Sequence, residues 1–310
     1  MQYLRPKRGV RLNNVPFTEK RSGETTRRIL TTLVAIELIV LYIPIVIPLV
    51  KQWMADPNYR HGILIPIISA YLVYSKRGAI ASAKWKDAKL SGITMLTIAS
   101  VLLIGGTAAS ELFTSRLSIP FMLLGLSLLL KGKEFTRLLL FPLVFLFFMI
   151  PLPYIIYYKL TFPLQLMSAK LSAGLLHTIN VSVIRKGNVL ILPNYTLEVV
   201  AACSGLRSLM TMITLALIMA AFMEISLTGK AILVAMAVPS AVFANVIRLV
   251  VTALGAVFVG PEFAEGTMHE ISGLIVFSFG LLFLIVTALI VRWIERNKKG
   301  APGKRGKGIR

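Results

Sequence analysis

Apolar residues run in long blocks along this chain, separated by short polar or basic stretches. A helix needs about 20 apolar residues to cross the hydrocarbon of a bilayer. On that measure the candidate spans are residues 29–50, 62–75, 91–110, 117–130, 138–150, 206–223, 230–259 and 271–291. The second, fourth and fifth are short, so the pattern fixes their ends only loosely. The seventh is long and contains Pro239, which predicts a bend or a projection past the bilayer. Residues 154–182 break the pattern, because Lys159, Pro163, Lys170 and His177 interrupt the apolar positions. That stretch reads as a pair of membrane-surface helices or a re-entrant piece, with a true crossing as the alternative. The expected fold class is an all-α polytopic membrane protein of about eight transmembrane helices. Its parts are a basic tail at 1–28, one transmembrane domain at 29–291 and a second basic tail at 292–310.

One stretch switches to a period of two. Residues 181–200, VSVIRKGNVLILPNYTLEVV, alternate β-branched and apolar positions around Lys186, Gly187 and Asn188. They predict a short hairpin, with a second turn at Pro193 and Asn194, inserted before the sixth span.

Composition agrees with a membrane protein. The chain has 310 residues, 56% hydrophobic and 15% charged, where soluble domains carry about 25% charge. One Cys excludes an internal disulfide framework. The net charge of +21 sits in the tails and short loops, so its expected partner is an anionic membrane surface and not nucleic acid. The first 28 residues carry eight Lys or Arg, and no small-residue cleavage site follows the first apolar run. That run, with Glu37, Pro44 and Pro48, reads as a retained helix. Cytoplasmic loops collect Lys and Arg. With eight spans and the N-terminus inside, 25 of the 34 basic residues fall on the cytoplasmic side. Both termini are therefore expected in the cytoplasm.

That topology puts three unusual residues at the outer ends of three consecutive spans. Cys203 precedes the sixth span in Ala201-Ala202-Cys203-Ser204-Gly205. A free Cys is often simply a small buried hydrophobe. At a helix start, however, unpaired N–H groups and the helix dipole favour a thiolate. Arg248 interrupts the apolar run VFANVIRLVVTALGAVFV. A charge inside a span is costly and marks function, unless the side chain snorkels to a headgroup. Counted from Lys230 it lies 18 residues along, about 27 Å, close to the outer surface. Asn245, three residues earlier, is expected on the same helix face. His269 follows the outer loop PEFAEGTMHE and opens the last span, where an idle interfacial His is the plain alternative. Together they supply a nucleophile, a cation for an oxyanion and a proton shuttle. HEISG lacks the second His of a zinc-protease motif, so no metal is expected. No GxSG lies in a span to support a serine protease. A transporter or lipid-handling protein is the rival class, since Pro and Gly within spans suit broken helices. Against it, no internal repeat is visible.

The same residues carry a resemblance. PLP at 151–153, FPLQ at 162–165, RKGNVLILP at 185–193 and LEVVAACSGLRSL at 197–209 are followed by PSAVFANVIRLV at 239–250 and HEISGLIVF at 269–277. DPNYRHGILIPIISAYL at 56–72 adds an early Tyr-x-His-Gly element. In this order, over roughly residues 53–291, the chain resembles the exosortase/archaeosortase family of membrane cysteine transpeptidases. The resemblance implies Cys203, Arg248 and His269 as catalytic residues. It also implies exported protein substrates bearing a C-terminal motif, a transmembrane helix and a basic tail. The acyl product would pass to a membrane or cell-envelope acceptor. No cofactor is implied. The expected location is the cell membrane, with the site facing the extracytoplasmic side. Arg207, one turn after Cys203, and Asn245 are weaker candidates for substrate binding. Arg60 and His61, in the loop after the first span, are expected along the access path.

Overall fold

The computed structural model describes residues 17–84, 86, 88–199, 205–264 and 266–300, without the side chains of 17–31, 34, 35, 205–208, 266–272 and 298–300. It divides into two units at Pro48 and Leu49. Helix α1, Phe17–Ala55, carries this boundary within it. The first unit is the N-terminal part of that helix, and its large apolar side chains Ile36, Ile39, Val40 and Ile43 are exposed, as lipid-facing residues are.

The second unit begins with the end of α1 and continues in a 3-10 turn at Pro57–Ile63, capped by the Asp56 carboxylate, which accepts from the Asn58 N–H at 2.9 Å. There follow α2 (Leu64–Ser75), α3 (Arg77–Ser82), α4 (Lys89–Ala108), α5 (Leu112–Phe145) and a 3-10 turn at Leu146–Met149. Helix α6 (Tyr154–Thr178) leads to strands β1 (Ile184–Lys186), β2 (Val189–Ile191) and β3 (Thr196–Glu198). Then come α7 (Gly205–Phe222), α8 (Leu227–Ala235), α9 (Ala237–Phe258), a 3-10 turn at Pro261–Ala264 and α10 (Gly266–Gly300).

Five helical stretches among the described residues are long and apolar enough to cross a membrane: Ile36–Ala55, Lys89–Ala108, Leu112–Met149, Leu227–Phe258 and Gly273–Asn297. The protein is therefore a multi-pass, all-α membrane protein with a small sheet. The difference from eight predicted spans has identifiable causes. The fourth and fifth share one 38-residue stretch, which holds them as two arms either side of Gly132, while the second gives only a 12-residue helix and the sixth a shorter apolar one, Leu209–Phe222.

Helix α5 is two antiparallel arms reversed at Gly132, whose φ of 81° suits a residue without Cβ. Ser127 Oγ and Thr136 Oγ1 meet at 3.0 Å across the arms, and Phe121 stands edge-on to Phe147. The reversal is pinned where the Lys133 N–H donates to the Lys86 carbonyl at 3.0 Å. The first arm packs antiparallel to α4 through glycines. A Cβ on Gly92 would lie 2.9 Å from Leu129 N, and one on Gly125 2.8 Å from Leu96 Cγ. Lipid tails give helices little hydrophobic reason to associate, so close backbone approach at small residues does that work.

Residues 154–182 correct the expectation of a surface pair. They form one continuous helix through Thr178, and Pro163 does not break it. Its buried residues Thr161, Gln165, Ser168, Ala169, Ser172, Ala173 and Leu176 make one stripe. Against this lie Ala241, Val242, Asn245, Leu249, Ala253 and Ala256 in the same order, so α6 runs parallel to α9. The second arm of α5 runs antiparallel to α2, with Ser69 Oγ donating to the Pro142 carbonyl and Lys76 Nζ to that of Leu138. Helix α2 in turn runs alongside α7 in the same sense: the turn before α2 meets Met210 and Ile213, and Tyr71, further along, meets Phe222. The second arm of α5 and α6 therefore travel in one direction, and Leu146–Pro153 interrupts a single path.

The hairpin forms as the alternation predicts. Lys186 pairs with Val189 across Gly187-Asn188, and Ile191 pairs with Thr196 across the second turn. Gly187 takes φ 64°. Leu190, Leu192, Leu197 and Val199 join Ala173, Leu176, Leu249, Ala253 and Ala256 in one core, so the sheet seals the ends of α6 and α9. The long seventh segment breaks at Met236, because Pro239 has no N–H to donate to Ala235.

Candidate active site

The sheet leads into α7 at the end of the bundle where α9 finishes and α10 starts. Three helices meet below that end. Gly280 of α10 faces Ala244 of α9 and Met212 of α7, and a Cβ there would lie 2.8 Å from Ala244 Cβ and 2.8 Å from Met212 Cε. Helices α7 and α10 both run against α9 through this contact. Seven residues back along each, about 10.5 Å, lie Gly205 and Gly273. Four residues onward along α9 lies Arg248.

Arg248 is half-buried, and its guanidinium covers Gly273. A Cβ on Gly273 would sit 3.2 Å from Arg248 Cζ and 3.2 Å from Nη2. Gly273 thus leaves the space that the planar cation fills. Position 269 is one turn before Gly273 on the same face of α10, by the i, i+4 spacing of a helix. The approach to α10 is fixed by Phe263, whose ring fills the place where Gly255 lacks a Cβ.

Cys203, between β3 and α7, lies outside the described residues, and the side chains of Arg207 and His269 do so too. What is described is the frame: α7 begins at Gly205, two residues after Cys203, and α10 carries position 269 in its first turn.

Asn245 takes a different neighbour from Arg248. It is 5% exposed and lines a small gap with Thr161, Leu164, Gln165 and Ser168 of α6. The spacing of three residues makes the two positions adjacent on α9, but Asn245 turns to α6 while Arg248 turns to α10.

Arg60 is exposed and His61 half-buried on the Pro57–Ile63 turn. Burial pushes the His61 imidazole below its ordinary range, against the opposing pull of hydrogen bonds to the backbone of Phe148 and Asn58. Tyr59, beside it, is raised to about 12 by burial and by the nearby Tyr157 and Asp56. Both side chains are therefore neutral near pH 7. With Phe147, Phe148, Ile150, Leu152, Met210 and Ile213 they line a cavity of about 170 Å³. The sequence pointed to His61 and Arg60, and to Tyr59 within the Tyr-x-His-Gly element, but not to Met210 or Ile213. Met210 and Ile213 read there only as apolar residues of a span. His177 is exposed on the last turn of α6. Among the described residues no cluster of His, Cys, Asp and Glu could hold a metal ion.

Residues 53–286 match the family described as transmembrane exosortase (Exosortase_EpsH). The match spans well over half of the chain and includes positions 203, 248 and 269. No curated protein and no solved structure matches the chain.

Proposed function

Because this chain belongs to the transmembrane exosortase family, whose members are sorting transpeptidases of the membrane, we propose that it cleaves C-terminal sorting signals of exported proteins through a Cys203 thioester. Its substrates carry a short motif, a transmembrane helix and a basic tail. The acyl group passes to a membrane or envelope nucleophile, or to water. The observation that carries this reading is the Arg248 guanidinium held against Gly273, one turn from position 269, at the end of the bundle where α7 begins.

The chemistry follows from these groups. The Cys203 thiolate attacks the peptide carbonyl carbon, and the carbonyl π electrons move to oxygen. Arg248 stabilises that oxyanion as a permanently charged donor. The intermediate collapses, the C–N bond breaks, and His269 gives its proton to the leaving amine. The acceptor then loses a proton to His269 and attacks the thioester, and the thiolate leaves. Half-burial strengthens each electrostatic contact relative to water. Arg207 and Asn245 serve substrate binding and the framework respectively, and Arg60 and His61 border the access path.

The site faces the extracytoplasmic side of the cell membrane, and both tails lie in the cytoplasm against anionic headgroups. The basic asymmetry of the sequence supports this. The single path of α5 and α6 is compatible with it, because α6 adds no reversal.

The deciding experiment is Cys203→Ala. Processing of the exported substrate is expected to stop while the membrane level of the protein stays near normal. Cys203→Ser is expected to retain a trace at most, because a hydroxyl is far less acidic than a thiol. Full processing by Cys203→Ala would rule out covalent thiol catalysis.

A further inference from the structure

The cavity between the Pro57–Ile63 turn, the Leu146–Leu152 segment and α7 has no part in the chemistry above. Its volume of about 170 Å³ is close to the roughly 150 Å³ known to hold a benzene ring in an apolar protein cavity. Among the described residues, no Asp, Glu, Lys or Arg lines it. Of its two polar rings, Tyr59 donates to the Leu152 carbonyl at 3.5 Å, and burial holds the His61 imidazole toward its neutral form. A charged side chain placed there would be desolvated without a partner.

The cavity is also within reach of the thiol position. Its α7 wall is Met210 and Ile213. Gly205 lies five residues before Met210, about 7.5 Å along the helix. Cys203 lies two residues further, at most about 7 Å of extended chain. The Met210 backbone on the cavity wall is therefore within about 15 Å of the Cys203 backbone, or about four residues of extended peptide at roughly 3.3 Å each.

We propose that this cavity is a specificity pocket that receives one uncharged apolar side chain of the substrate, up to the size of a phenyl ring, within about four residues of the cleaved bond. The proposal rests on the thiol reading of Cys203. A peptide side chain is the occupant that the volume fits, since a whole lipid acyl chain overfills it.

The test is a size swap, with the full-length protein in nanodiscs and an exported substrate that it processes. Each of the four residues on either side of the cleaved bond is changed in turn to Ala, Phe and Asp. One position should accept Ala or Phe and reject Asp by at least about tenfold in kcat/KM. Misfits of methylene size in apolar pockets are worth about 10–200-fold. Ile213→Trp, which fills the cavity, should lose at least about tenfold with Phe at that position, mainly through KM, and recover with Ala. If Ile213→Trp does not insert, Ile213→Ala provides the reverse swap and should gain on Trp over Phe. A uniform loss on every substrate, or no position with a swap, overturns the proposal and leaves the cavity as packing. A rate that follows lipid chain length instead of the peptide overturns it in favour of a lipid site. Processing that persists in Cys203→Ala overturns the thiol reading, while the size swap still decides whether the cavity reads the peptide.

Discussion

At the scale of single residues, the contact between Arg248 and Gly273 separates a catalytic cation from a membrane anchor. An anchoring Arg needs only length and charge, so Lys should replace it with little loss. An oxyanion donor needs a fixed planar fork, which Lys lacks. Removing one such donor typically costs about 100- to 1,000-fold in rate. Arg248→Lys is expected to lose at least about tenfold in processing rate with insertion intact, whereas Arg292→Lys, near the far end of α10, should be near neutral. Equal behaviour of the two variants would make Arg248 an anchor. Gly273→Ala offers a second, independent probe. Its added Cβ would meet Arg248 Cζ and Nη2 at 3.2 Å, closer than carbon atoms normally pack, so the guanidinium must shift. The shift needed is a few tenths of an ångström, well short of the 1 Å that costs about 100-fold in a well-aligned site, so the loss should be smaller than that. We therefore expect Gly273→Ala to lower the rate while leaving the yield of inserted protein unchanged. An unchanged rate would show that the position of the guanidinium does not matter.

At the scale of elements, the reversal of α5 depends on one residue. Gly132 holds φ 81°, and a Cβ there would overlap the Lys86 carbonyl that receives the Lys133 N–H. A non-glycine residue in such a conformation costs about 1–3 kcal/mol, before any steric term. Gly132→Ala should therefore lower the thermal midpoint of the purified protein by several degrees, while Gly78→Ala, which meets nothing within 4 Å, should not. An unmoved midpoint in Gly132→Ala would mean that the arms reverse without help from this residue. The sequence placed a reversal here, between the fourth and fifth spans, but not its sharpness. Lys131-Gly132-Lys133 reads there as a polar loop between two spans, and the loop proves to be a single residue between helical arms.

At the scale of the whole molecule, the prediction concerns topology. With both basic tails in the cytoplasm, reporter fusions at Gly266 and Gly300 should report outside and inside respectively. The opposite result would move the candidate site to the cytoplasmic face and exclude action on exported substrates. The sequence by itself determined the membrane class, the hairpin at 184–198, the break at Pro239 and the order of Cys-Ser-Gly, Asn-x-x-Arg and His-x-x-x-Gly. All of these are written in local hydropathy, in a period of two, or in the chemistry of one residue. Tertiary structure alone decided which helix faces meet. It turned Asn245 to α6 and Arg248 to Gly273, laid α6 parallel to α9, and brought Tyr59 and His61 against Met210 and Ile213. The reason is physical: a span is apolar all round, so periodicity does not mark its buried face. In lipid, pairing follows the shape of small residues and the few polar groups that need partners, and these become legible only when the helices are side by side.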